Sequence, residues 1–572
     1  MNEPFSLVDL LDAQSLPLKN RVGKDGYYAP GSNGNGASCG TTPAPETRES
    51  LIPTEPLKEG EQYRFHFDMA RCIGCQCCVV ACNEQNNNPA SVNWRRVGEI
   101  EGGVYPSTKR HHLSMACNHC LDPSCLTGCP TGAYVKDEKT GIVMQESDEC
   151  IGCQYCTWNC PYGVPQFNPE RRIVTKCDMC HGRLSQGQVP ACAAACPEQA
   201  IRIEKVSASE WRENHAEADA PGIPESGITL STTRITLPRE MPSEVFRANR
   251  HWVEPEKPHA SLVFMTVLTQ LAVGGFLALW LGDLFSGIFT FLRPLQDFLA
   301  FGSSGILAVT GLALFASVFH LGRPLYAYKA LRMWRRSWLS REVLFFTLFS
   351  FLGAGYAGLL LAASAWDWPV SHGARSLFGG LVGLAGAAGI YSSAKIYLVP
   401  ARPAWNTYRT PLRFFLTGFI LGPLFSLMVY AGYLLVRRQP PSQNLGPVFA
   451  WLLVSSAAAA LQLFALLGRL SHLGNKKAVE LYDSAMLLIR RFRAHFLVRI
   501  GLMIVGSFLL PLYLLVCWGR APGFGAFSLL GFTGACFLLA LLGEFLGRYL
   551  FFVTVVPKNI PGSFFTRNGG SH

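Results

Sequence analysis

Sixteen of the twenty cysteines in this 572-residue chain stand in four groups of four, all between positions 72 and 196. Cys72, Cys75, Cys78 and Cys82 follow the pattern C-x2-C-x2-C-x3-C, and Cys150, Cys153, Cys156 and Cys160 repeat it before Pro161. Cys117, Cys120, Cys125 and Cys129 carry a four-residue second gap and precede Pro130. Cys177, Cys180, Cys192 and Cys196 carry an eleven-residue second gap and precede Pro197. A chain with this spacing must fold so that thiols converge, because packing alone gives no reason to place them so regularly.

The first pattern is the bacterial ferredoxin run that ligates [4Fe–4S] cubanes, in which three closely spaced cysteines hold one cluster and the fourth reaches the other cluster of a pair. Sixteen thiolates then fit four cubanes. The expected sets are Cys72, Cys75 and Cys78 with Cys196; Cys177, Cys180 and Cys192 with Cys82; Cys117, Cys120 and Cys125 with Cys160; and Cys150, Cys153 and Cys156 with Cys129. A disulfide framework would need an oxidising compartment and would not explain the repeated groups. Zinc accepts isolated C-x2-C pairs but not two three-plus-one runs. Cys177-Asp178-Met179-Cys180-His181 also matches a haem c attachment string, though Cys192, Cys196 and Pro197 beside it favour a cluster. Cys39 and Cys77 are assigned to no set. No third position is replaced by an aromatic residue, so the domain reads as a wire of four clusters.

The rest of the chain differs in kind. Up to residue 258 the formal charge is −7, and from 259 onward it is +18, with only Cys517 and Cys536 in the later half. That half holds eight apolar stretches near 261–285, 298–320, 343–365, 376–398, 411–436, 446–468, 496–518 and 524–547. Each is long enough to cross roughly 30 Å of hydrocarbon as a helix. The predicted fold is therefore an α+β ferredoxin-like four-cluster domain followed by an all-α polytopic membrane domain with eight transmembrane helices. The expected divisions are a disordered or extended arm (1–60), the cluster domain (61–205), a polar, Pro-rich connector (206–258), the membrane domain (259–556) and a tail (557–572). Within the cluster domain, Tyr63, Phe65 and Phe67 alternate with polar residues as in a strand, and residues 132–145 read as a hairpin turning at Lys139-Thr140-Gly141.

Lys and Arg number 23 in the loops on the amino-terminal side of the membrane and five on the other, namely Arg293, Arg375, Arg437, Arg438 and Arg520. The positive-inside rule then predicts an inner-membrane protein with both termini and the cluster domain in the cytoplasm, where thiols stay reduced. No apolar run or twin-arginine string follows Met1, which agrees with that expectation. The positive charge belongs to membrane topology rather than to nucleic acid binding.

Ionisable residues near spans are functional candidates. His320, Glu342, Lys395, Arg413, Glu544 and Arg548 all fall near the predicted cytoplasmic face, where a polar-headed apolar ligand such as a quinone would meet the clusters. His320 and Glu342 could supply a hydrogen-bond donor and a proton acceptor. Haem b is not expected, because the membrane half lacks histidine pairs facing each other across helices. Without an electron path across the bilayer, turnover should separate little or no charge.

These motifs resemble those of the dimethyl sulfoxide reductase family of molybdenum oxidoreductases, as two subunits joined into one chain. Cys72-Ile73-Gly74-Cys75, Cys150-Ile151-Gly152-Cys153, Cys160-Pro161-Tyr162-Gly163 and the long-gap fourth group are similar to its four-cluster electron-transfer subunit. His320-Leu321-Gly322-Arg323-Pro324, the segment Ser337–Glu342, Thr410-Pro411 with the segment Phe414–Thr417, and the segment Gly543–Arg548 resemble its eight-helix membrane anchor. The resemblance implies a menaquinol-reactive anchor whose quinone site uses His320 and Glu342; Arg323 and Lys395 complete the expected quinone-binding set. It also implies a separate molybdopterin catalytic subunit, which nothing in this chain resembles. The resulting expectation is an electron-transfer subunit between the membrane quinone pool and a cytoplasmic molybdenum enzyme. An outer-face sulfoxide or N-oxide reductase subunit and a sulfite-oxidising complex feeding the quinone pool are the rival enzymes. A membrane-anchored redox sensor would need an output domain that the sequence lacks.

Overall fold

The structure, a computed structural model, describes residues 50–242, 244–248, 253–289, 291–292, 298–440, 445–518 and 525–560. The expectations placed on residues 1–49, including Cys39, and on 561–572 lie outside the described residues. From Leu51 onward the chain falls into one compact unit.

The cluster domain is built on two small sheets. Strand β1 (Glu61–Asp68) lies between β8 (Ile201–Ser207), antiparallel to it, and β9 (Arg234–Thr236), parallel to it. The second sheet runs β10 (Val245–Arg247), β2 (Arg96–Gly102), β3 (Lys109–Met115). Two hairpins, β4 (Tyr134–Lys136) with β5 (Val143–Gln145) and β6 (Gln166–Asn168) with β7 (Ile173–Thr175), complete it. The first has the predicted turn, with Gly141 at φ 69°.

Two features differ from the sequence reading. The alternation in β1 suggests one wet face, yet Gln62, Arg64 and His66 are buried along with Phe65 and Phe67. Both faces are covered, and the polar side chains find partners inside: Arg64 meets Glu204 at 3.1 Å and stacks over Trp211, though its Nε and Nη1 have none among the described residues, while Gln62 donates to the His119 carbonyl at 3.1 Å. The expected connector at 206–258 is in large part not a connector. Its residues supply β9 and β10, and Trp211 and Ala218 pack with Leu121 in a small core. Three-residue strands carry no readable period, so only their pairing partners reveal them.

Among the described residues, eight helices are long and apolar enough to span a membrane: Ala260–Gly287, Leu299–Val318, Trp338–Ala365, His372–Tyr397, Arg409–Val436, Gly446–Gly474, Arg493–Val516 and Ala526–Val553, here called spans 1 to 8. Span 3 starts five residues before the predicted 343, because Ser340 finds a partner, the Pro130 carbonyl, in the cluster domain. Spans 1 and 5 cross in backbone contact. A Cβ on Gly274 would lie 2.0 Å from the Gly418 carbonyl oxygen, so only glycine permits the approach. At the end of the bundle remote from the cluster domain, Asp283 is wholly buried and takes a bidentate pair from Arg375, at 2.6 and 2.7 Å.

The cluster domain sits on the face formed by the 2–3 loop, the 4–5 loop and the segment after span 8. Arg323 donates to the Ser147 carbonyl at 3.0 Å, and Lys329 and Arg332 reach Glu149 at 3.2 and 2.8 Å. The Lys558 amide donates to the Ala401 carbonyl at 2.9 Å, and Arg96 reaches Asn559. Between them lies an aromatic layer in which Trp158 packs on Tyr397, Trp405 and Phe552. This is the face that carries the excess of Lys and Arg.

Candidate metal centres and the membrane face

The groups Cys72–Cys75 and Cys150–Cys153 fold into the same turn. Gly74 and Gly152 have φ 74° and 70°, and the glutamines after the second cysteines, Gln76 and Gln154, have φ 63° and 60°. Short helices follow, Cys77–Gln85 and Tyr155–Asn159, so the third cysteine of each group enters a helix and the fourth lies at or near its far end. A cavity is lined by Cys72, Cys75, Cys78 and Cys196 together, and another by Cys117, Cys120, Cys125 and Cys160. Cys82 neighbours Cys177, Cys180 and Cys192, and Cys129 neighbours Cys150, Cys153 and Cys156. Two of the four crossed sets thus line a cavity each, and the other eight cysteines lie near one another. Cys77 is exposed and lies beside Cys75. No disulfide joins the described cysteines.

Burial pushes these thiols up, Cys72 to about 11 and Cys82 and Cys120 to about 12. At neutral pH such thiols stay protonated unless a cation shares the site, which is the behaviour of a metal-ligating set that releases protons on loading. The donor chemistry fits iron–sulfur clusters, with four sulfurs lining each of the two cavities.

Two buried cations and one tyrosine lie between the sets, and sequence reasoning missed all three. Arg95, 2% exposed, donates to the Ser114 carbonyl and hydroxyl at 3.3 and 3.1 Å, and that hydroxyl lies 3.4 Å from Cys78 Sγ. Burial opposes its charge, but Cys192, Cys78, Cys177 and Cys82 outweigh that and raise its pKa. It therefore sits between the sets of Cys72 and Cys177. Lys176, 3% exposed, lies 3.6 Å from Cys117 Sγ and donates to the Cys177 carbonyl at 2.9 Å and to the Val143 carbonyl. Its ammonium stands between the sets of Cys177 and Cys117. Tyr134 neighbours Cys125 on one side and Cys156 and Cys129 on the other. The sets therefore run in one line, from Cys72 through Cys177 and Cys117 to Cys150. Lys176 was detectable as the residue before Cys177, but a lysine in a polar loop ordinarily reads as solvated.

The Cys150 set ends that line at the membrane. The Arg323 amide donates to the Ile151 carbonyl at 3.0 Å, and Gly322 lies against Arg172 and Gly152 so closely that a Cβ would come 2.1 Å from the Arg172 carbonyl oxygen. Ser337 donates to the Gly128 carbonyl at 2.6 Å. Tyr155 neighbours both Glu342 and Cys153 of the terminal set, and His320 stands two positions before Gly322 at the docking contact. His320 Nδ1 and Glu342 Oε1 are both buried without a close hydrogen-bond partner among the described residues, and the Ser317 backbone and the Ser393 hydroxyl lie near the two side chains. Arg323, by contrast, is engaged in docking, and the Lys395 ammonium lies over the Trp338 ring at 5.3 Å.

Arg413, Glu544 and Arg548 gather elsewhere. Glu544 accepts from Thr417 at 2.6 Å and from Gln462, with Arg499 at 3.9 Å. Arg548 donates to Gln270 at 2.6 Å and stacks over Phe414. Of the six ionisable residues that the sequence places at one depth, Arg413, Glu544 and Arg548 therefore cluster together, and Tyr397 neighbours both Glu342 and Arg548.

Residues 255–553 match the family described as the dimethyl sulfoxide reductase anchor subunit, and residues 108–206 match a 4Fe-4S dicluster domain. The cluster half is 38% identical over 167 residues to one chain of the anaerobic dimethyl sulfoxide reductase of Escherichia coli, covering 28% of the present sequence and 80% of that protein. It is 37% identical over 178 residues to the equivalent protein of Haemophilus influenzae, covering 30% and 86%. One subunit of a sulfite dehydrogenase from Allochromatium vinosum is 34% identical over 160 residues, covering 24% and 67%.

Proposed function

The chain belongs to the dimethyl sulfoxide reductase family, as an iron–sulfur subunit and an anchor subunit joined in one polypeptide, and from that premise we propose that it carries electrons between a membrane quinone of the menaquinone type and a separate molybdopterin catalytic subunit. The sixteen cysteines hold four [4Fe–4S] clusters, which supply one-electron carriers when bound. Cys72, Cys75, Cys78 and Cys196 hold the one farthest along the line from the membrane. Cys129, Cys150, Cys153 and Cys156 hold the one at the anchor. The buried atoms of His320 and Glu342 without close partners, with Glu342 reached through Tyr155 from that last set, are the observation that carries the reading.

At the anchor, His320 hydrogen-bonds one oxygen of the quinone ring and Glu342 the other. Oxidising a quinol releases two electrons and two protons, and these side chains take the protons toward the cluster-bearing face while the electrons leave singly. Running in reverse, the same groups deliver the protons to a quinone. Buried carboxyl and imidazole groups suit this role because each can hold or release a proton without moving. At the other end, Ile73 and Val80 are 60% and 56% exposed beside the exposed Cys75. Apolar exposure there suits docking of the catalytic subunit.

The Lys and Arg excess on the docking face supports a cytoplasmic position for the cluster domain. Protease treatment of sealed cells tests it: cleavage within 61–205 from outside would instead favour an exported sulfoxide- or N-oxide-type reductase. The resemblance to a sulfite dehydrogenase subunit keeps the opposite electron direction as the second reading. For the quinone site, His320→Ala and Glu342→Gln should each slow quinol-driven cluster reduction about a hundredfold or more while dithionite still reduces all clusters. Unchanged quinol kinetics in both variants would sink the assignment.

A further inference from the structure

We propose that the anchor carries a binding site for a phosphate-bearing anion between the cluster-facing ends of spans 5 and 6, distinct from the His320–Glu342 site. A cavity there is lined by Thr407, Arg409, Arg413, Arg469, His472 and Ser484. Three arginines converge on it from the two spans.

The charge balance is what points to an anion. Glu544 is the one carboxylate paired with this group of cations among the described residues. It is already engaged by Thr417, Gln462 and Arg499. Arg469, 8% exposed, spends one N–H on Thr554 at 3.2 Å, and Arg409 spends one on the Gly468 carbonyl at 2.8 Å. The Arg413 guanidinium makes no hydrogen bond to a described residue and lies 5.9 Å from the centre of the Phe551 ring. Glu480 of the 6–7 loop pairs electrostatically with Arg247, and, of the described residues, Glu544 is the only carboxylate among the charges acting on Arg413 and Arg469. Several cations with so few counter-charges, sunk at the end of a membrane bundle, are costly unless an anion joins them.

The ligand chemistry follows from the donors. Arginine guanidinium groups match phosphate oxygens in a fork, and the Thr407 and His472 side chains can add neutral hydrogen bonds. The position matches the depth of lipid headgroups, where basic pockets between helices take anionic phospholipids. Free inorganic phosphate offers the same oxygens without acyl chains.

The test uses the full chain, cluster-loaded, in detergent and stripped of lipid, with native mass spectrometry as readout. Phosphatidylglycerol and inorganic phosphate are titrated separately, with diacylglycerol as the uncharged control. Wild type should take up one equivalent of phosphatidylglycerol or of phosphate, and none of diacylglycerol at the same concentration. Preference for the lipid assigns the headgroup, and equal affinity for phosphate assigns the free anion. Arg413→Gln and Arg469→Gln should each weaken binding about fivefold, and Arg413→Lys, which keeps the charge but not the fork, should weaken it less than Arg413→Gln. Arg335→Gln, in an exposed loop, should change nothing. Unchanged cluster spectra in the Gln variants separate lost binding from lost folding. Absence of uptake of both probes by wild type, or uptake unaffected by the Gln substitutions, overturns the proposal. His320 and Glu342 are untouched, so quinol-driven reduction reports on the quinone site independently.

Discussion

Replacing Lys176 by glutamine tests whether its ammonium sets the potential of the clusters it separates. The substitution keeps an N–H donor for the Val143 or Cys177 carbonyl and removes the charge. A full charge on Cys117 Sγ, 3.6 Å away, would interact with the ammonium by about 4–5 kcal/mol at an effective dielectric of about 20. An electron entering a cluster is shared over its sulfurs, so roughly a quarter to a half of that applies, roughly 1–2 kcal/mol. For a one-electron couple this is roughly 50–100 mV. Lys176→Gln should therefore lower the midpoint potentials of the Cys117 and Cys177 clusters by that amount. Removing a fixed positive charge makes an added electron less welcome, so the sign is fixed. Potentiometric titration followed by electron paramagnetic resonance resolves the clusters separately. The Cys72 cluster, whose nearest fixed cation is Arg95, should shift least. A rise in potential, or equal shifts in all four clusters, would refute the electrostatic argument.

Further outcomes follow from the same geometry. Gly322→Ala puts a methyl against the Arg172 backbone, so quinol-driven cluster reduction should fall at least tenfold with cluster content unchanged in iron analysis. Asp283→Ala leaves Arg375 buried without its partner and should cost about 3–5 kcal/mol, read as lower thermal stability of the anchor without altered cluster potentials. At Glu204, burial raises the carboxyl pKa, but His66 at 2.6 Å, Arg64 and Arg234 outweigh it and hold it at about 2. A depressed pKa means its stabilisation is complete above the unfolded carboxyl value and is lost as pH falls through the folded one. The stability gap between wild type and Glu204→Gln, measured by denaturant titration, should accordingly close between about pH 4 and 2.

The cysteine groups and the apolar stretches were legible in the sequence because each obeys a local rule of spacing or length. Even the crossing of the fourth cysteines appears in the geometry, since short helices carry them past their own turn. The closure of the cluster domain by Arg234–Thr236 and Val245–Arg247 was not legible, because it depends on partners more than a hundred residues away. Arg95 and Lys176 escaped for a different reason. Charged residues are buried only where counter-charge waits, and here that counter-charge is sulfur, which a composition count scores as apolar. The gathering of Arg413, Glu544 and Arg548 depends on how helices turn toward their neighbours, which position along a span does not record.

The late closure of the first domain also bears on how the protein is made. β9 and β10 edge both sheets, and β10 ends at Arg247, thirteen positions before span 1 begins at Ala260. As the chain emerges from the ribosome, the strands that seal the domain and the first hydrophobic segment appear almost together. The insertion machinery would therefore engage span 1 while the thiol-bearing domain is newly closed or still open at its edges. Biogenesis of this polypeptide couples two schedules, cluster loading and membrane insertion, that separate polypeptides could run independently.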